Sequence, residues 1–240
     1  MAHKKTLPLR ADCALSLPAL YRLMSWLSPA YPIGAFSYSS GIEWAVESGD
    51  IMDAKTLQRW IIAIVDDGGG FCDAVFLVHS HGAVARNDDA GLQAVAELAN
   101  AFAPSKERFL ETTTQGRAFL DATRAAWSCG SLERLPGIWD GPLAYPVAIG
   151  VATAGHGIPL QPVLTAFLHA IAANLISAGV RLIPLGQTDG LRILATLEPV
   201  LAAVAARALS CPLEEIGGAA FRADIASIRH ETQYTRLFRS

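Results

Sequence analysis

Leu160-Gln161-Pro162-Val163-Leu164-Thr165-Ala166-Phe167-Leu168-His169-Ala170-Ile171-Ala172-Ala173-Asn174-Leu175-Ile176 decides the fold class. Leu160, Val163, Leu164, Phe167, Leu168, Ile171, Leu175 and Ile176 recur at three- and four-residue steps, which lines them up on one side of an α-helix and is incompatible with a strand. The stretch lies within Gly141–Val180, where there is no Asp, Glu, Lys or Arg. A helix this apolar has to be surrounded, either by other helices of its own chain or by a second subunit.

The same period extends in both directions. Leu57, Trp60, Ile61, Ile64 and Val65 follow it behind a candidate N-cap at Asp53, as do Leu92, Val95, Leu98, Ala99 and Phe102. Phe109, Thr113, Phe119, Thr123 and Trp127 repeat it more weakly, and Leu194, Leu197, Leu201 and Val204 share a face on which Pro199 predicts a kink or a restart. Gly68-Gly69-Gly70, Pro104-Ser105, Pro136 to Pro142 and Gly155-His156-Gly157 punctuate the rods, and strand-like alternation is nearly absent. The expectation is an all-α, single-domain bundle of roughly ten helices with no significant sheet. Residues 1–18 read as a flexible tail, 19–240 as one helical domain, and 221–240 as a docking segment at its end.

Composition narrows the function. Over 240 residues, 52% are hydrophobic and 17% charged, enough for a large core, and the formal net charge of −3 gives no general attraction to nucleic acid or anionic membrane. His156, Gln161, His169, Asn174 and Arg181 interrupt the most apolar region, so no clean membrane span is expected. Cys13, Cys72, Cys129 and Cys211 form no C-x-x-C pair, and no secretory leader is read at the N-terminus. A soluble, cytoplasmic protein with reduced thiols is expected.

Catalytic signatures are scarce. The sequence has no G-x-x-x-x-G-K-[ST] loop, no G-x-S-x-G elbow and no H-E-x-x-H pair. Asp66 and Asp67 precede the glycine triplet, where carboxylates would repel phosphate, so a helix break is the better reading. His79 and His81 leave open a metal-dependent helical enzyme, but residues two apart on a helix point about 200° from each other. His156 and His169 sit in the apolar region as core histidines or transient ion contacts.

Three segments stay unexplained by composition. One is the small-residue loop Pro32-Ile33-Gly34-Ala35-Phe36-Ser37-Tyr38-Ser39-Ser40-Gly41-Ile42-Glu43. Another is Arg181-Leu182-Ile183-Pro184-Leu185-Gly186-Gln187-Thr188-Asp189-Gly190, where Pro184 and Gly186 force a break between helices. The last is the C-terminal stretch, in which Arg222, Arg229 and Arg236 recur every seven residues while Phe221, Ile225, Ile228 and Thr232 lie on another face of the same predicted helix. It ends His230-Glu231-Thr232-Gln233-Tyr234-Thr235-Arg236-Leu237-Phe238-Arg239-Ser240, rich in the Arg and aromatic residues favoured at binding hot spots.

Together these three segments resemble the urease accessory protein F family, in the P-x-G-A-F-S-Y-S-x-G-x-E loop, the R-L-x-P-L-G-Q-T-D-G turn and the H-E-T-Q-Y-[ST]-R-L-F-R-S ending. Leu191, after the turn, departs from the polar residue associated with the family. The resemblance implies a non-enzymatic, all-α homodimer without a cofactor of its own. It implies binding to accessory protein D (called H in some bacteria) and to the GTPase accessory protein G, in a GTP-dependent chaperone that loads nickel into apo-urease. On that likeness the binding positions are Pro32, Gly34, Phe36, Ser37, Tyr38, Gly41 and Glu43; Arg181, Pro184, Gly186, Gln187 and Asp189; and Arg222, Arg229, His230, Glu231, Tyr234, Arg236, Leu237, Phe238 and Arg239. It also implies that the ending becomes ordered on the partner, that the charge-free stretch supplies a dimer face, and that His156 is a candidate on a transient nickel path.

Overall fold

The computed structural model describes residues 15–240, so most of the expected N-terminal tail lies outside the described residues. Helices α1 (Leu17–Trp26), α2 (Ile42–Glu47), α3 (Ala54–Asp67), α4 (Gly69–Ala85), α5 (Asp89–Ala101) and α6 (Lys106–Ala126) form the first half. Helices α7 (Gly130–Ile138), α8 (Tyr145–Gly155), α9 (Leu160–Leu182), α10 (Gln187–Ser210) and α11 (Phe221–His230) follow, and no strand forms among the described residues. The all-α, single-domain reading holds.

Local chemistry sets the helix ends. The Ser16 side chain caps α1 by accepting the Ala19 N–H, so Leu17 and Pro18, within the expected tail, are already helical. Asp53 caps α3, and Thr56 returns a bond to it. Gly68 separates α3 from α4, as the glycine triplet suggested. Pro136 lies inside α7, so the break expected over Pro136 to Pro142 falls after Ile138, and α10 runs from Gln187 to Ser210 through Pro199 without a restart.

Helices α4, α8 and α9 occupy the centre, with α3, α5, α6, α7 and α10 around them. Tyr145 to Thr153 of α8 are all buried, which places that part of the charge-free stretch in the interior and not on an oligomer face. Close approach of α8 to α4 depends on Gly150, because a Cβ there would fall 2.0 Å from Ser80 Oγ. Val163, Leu164, Phe167, Leu168, Leu175 and Ile176 of α9 face the core, each contributing about 1.5–3 kcal/mol of burial. Trp26, Phe119, Tyr145 and Phe167 link α1, α6, α8 and α9 through edge-on and tilted ring contacts.

By length and composition, α9 and α10 could each cross a bilayer, contrary to the expectation from their scattered polar residues. Isolated polar side chains do not interrupt a helix, and half of the apolar window of α9 is buried against its neighbours.

The last helix differs most from its sequence reading. It stops at His230, so Arg236 does not share a helical face with Arg222 and Arg229. Ala226, Ser227 and His230 point inward, whereas Phe221, Ile225 and Ile228 are 69%, 55% and 48% exposed.

Candidate functional site

Gly41 sits where α2 and α11 come into contact. Its φ is +80°, and a Cβ would lie 2.6 Å from Ser227 N, so α2 and α11 meet backbone to backbone. This approach buries Glu43, in the first turn of α2, beneath α11.

Beyond α11 the chain turns, with Gln233 N donating to His230 O at 3.0 Å, and runs back across the Pro32–Glu43 loop. Glu43 Oε1 accepts the Leu237 N–H at 2.6 Å and Oε2 the Phe238 N–H at 2.9 Å. Arg239 N donates to Ser37 O at 2.8 Å, and Ser39 N to Ser240 O at 2.7 Å. The Arg181 guanidinium donates to Phe36 O at 2.8 Å and lies 4.3 Å from the Phe238 ring centroid. Three segments far apart in sequence thus form one face.

Underneath is an ionic layer. The fully buried His230 ring places Nδ1 2.6 Å from Glu107 Oε2 and Nε2 3.1 Å from Glu43 Oε2. Arg236 Nη1 donates to Glu107 Oε1 at 2.8 Å, Ser240 Oγ to Glu111 Oε2 at 2.9 Å, and Gln233 Nε2 to Glu47 Oε2 at 2.5 Å. Arg108 bridges Asp73 and Glu111. Asp73, Arg108 and Glu111 border a cavity of about 250 Å³ whose walls also include Phe36, Ser40 and Asn174. Burial pushes the Asp73 carboxyl up to about 6, against the pull of Arg108.

The ending is therefore folded on its own chain, whereas the resemblance implied ordering on a partner. The difference arises because Glu43, Glu107 and Glu111 satisfy its donors within the molecule. Large apolar and aromatic side chains stay outside beside the exposed Thr and Arg residues. Tyr234, Leu237 and Phe36 are 102%, 76% and 66% exposed, and Pro32 and Arg239 are also exposed.

Other candidate residues are placed differently. Arg222 pairs with Asp50 on the outside, holding that carboxyl below its ordinary value by hydrogen bonding. Glu231 accepts the Lys106 N–H at the start of α6, and Arg229 faces solvent. From the second segment only Arg181 joins the face. Gly186 and Asp189 bond to each other and Asp189 pairs with Arg192, so Pro184 and Gly186 lead into α10 and Gln187 and Asp189 form its capped first turn.

The histidine candidates are engaged elsewhere. His79 Nε2 bonds to Cys211 O and His81 Nε2 to Ile158 O, each at 2.9 Å, so the two rings address different segments and no shared ion. Among the described residues no three His, Cys, Asp or Glu side chains are grouped as metal ligands. His156 Nε2 lies 2.9 Å from Trp127 O, its ring 5.2 Å from that of Trp26, and burial lowers its pKa. Trp127 caps the far end of α6, about 30 Å of helix from Glu107, so His156 lies away from the three-segment face.

Sequence reading missed Glu107, Arg108, Glu111 and Asp73. A signal existed for two of them. Stepping back by four from Thr123 and Phe119 gives Gln115, Glu111 and Glu107, all buried on the inward face of α6.

With the geometry defined, similarity to known proteins decides the family. The UreF family model matches residues 51–198. A protein of Rhodopseudomonas palustris (strain BisB18) named urease accessory protein UreF is 61% identical over 232 residues, covering 95% of this chain and 96% of that protein. The chain belongs to the UreF family. A second UreF, from Bradyrhizobium diazoefficiens, is 60% identical over 222 residues, covering 92% of each chain. The part matched by the UreF model contains Glu107, Glu111 and Arg181, which hold the ending, while the ending itself lies beyond it. The relatives are named as accessory proteins and not as enzymes.

Proposed function

We propose that this chain serves the maturation of urease as a non-enzymatic assembly factor, using the face built from its loop, Arg181 and its ending to dock other proteins. One observation carries the reading: the chain spends buried carboxylates on fixing its last residues, yet leaves Phe36, Phe221, Tyr234 and Leu237 facing solvent. Rigid exposed aromatic and aliphatic side chains lose little entropy on docking.

The partners are accessory protein D (H), the GTPase accessory protein G and apo-urease, and the chain works as a cytoplasmic homodimer. Nucleic acid and membrane are not partners. Nickel and GTP are handled by the complex, with no cofactor resident in this chain. Membership in a family named for urease accessory proteins supports the urease reading. The alternative of a metal-dependent enzyme at His79 and His81 is set aside because the two rings bond to separate carbonyl groups.

The test is complementation in cells whose own copy of the gene is deleted. Wild-type chain should restore nickel-loaded, active urease, and the Tyr234→Ala/Leu237→Ala variant should restore little while accumulating normally. Full urease activity in the deleted cells without any added chain would refute the reading.

A further inference from the structure

We draw no further inference here: the strongest candidate, the exposed apolar stripe of Leu17, Tyr21 and Met24 along the outer side of α1 with the shallow groove beside Tyr31, carries none because nothing in the structure shows what covers it.

Discussion

The guanidinium of Arg181 lies over the ring of Phe238, 4.3 Å from its centroid, and the same group donates to Phe36 O at 2.8 Å. One side chain at the end of α9 therefore joins the loop before α2 to the last residues of the chain. Arg181→Ala should loosen the ending by about 1 kcal/mol, the range for a cation–ring contact near solvent. Hydrogen exchange should show faster exchange at Leu237 and Phe238 with the α4, α8 and α9 amides unchanged. Equal loss of protection throughout the chain would contradict a local role.

Glu43 holds more of the ending than any other side chain, since its two oxygens take two main-chain N–H groups and the His230 ring. Replacement by Ala leaves those donors buried and unpaired. Urea unfolding should show a loss of about 3–5 kcal/mol for Glu43→Ala. The Glu43→Gln variant, which keeps one good acceptor, should lose less.

Gly41→Ala places a Cβ 2.6 Å from Ser227 N at a backbone angle of φ +80°. Strain and displacement of α11 together should cost about 2–4 kcal/mol and lower the melting temperature by roughly 5–15 °C. Gly34→Ala also carries positive φ but meets open space, so it should cost less.

Asp73 supplies a pH dependence whose sign is fixed by its environment. Burial raises the folded carboxyl to about 6, above the unfolded value of about 3.9, so its neutral form is favoured in the native state. That contribution is complete below about pH 4 and is lost as pH rises through about 6, amounting to at most roughly 3 kcal/mol. Unfolding of Asp73→Asn between about pH 4 and about pH 7 should lack this part of the dependence. An unchanged pH profile would contradict the raised value.

Periodicity made the helices legible because burial of Leu57, Ile61, Val95, Phe167 and Leu201 repeats with the helical turn. It failed at α11. There the spacing separated Phe221, Ile225 and Ile228 from the Arg row without showing which face is inward; close backbone contact with Gly41 sets Ala226 and Ser227 inside and leaves Phe221, Ile225 and Ile228 outside. No local pattern reveals that constraint, since it arises from a glycine about 185 residues earlier in the chain. The binding segments stood out by composition, but their convergence did not. Glu107 and Glu111 sit on a polar helix, and only their register with Phe119 and Thr123 marks them as inward.

The most direct measurement is the affinity of the purified chain for accessory protein D (H) and for the GTPase, comparing wild type with Tyr234→Ala/Leu237→Ala. Both side chains are exposed and hold nothing in the fold, so melting temperatures should agree. A drop in affinity of at least about tenfold with the fold intact is the expected result. Undiminished binding of both partners by the folded variant would contradict the docking role of this face.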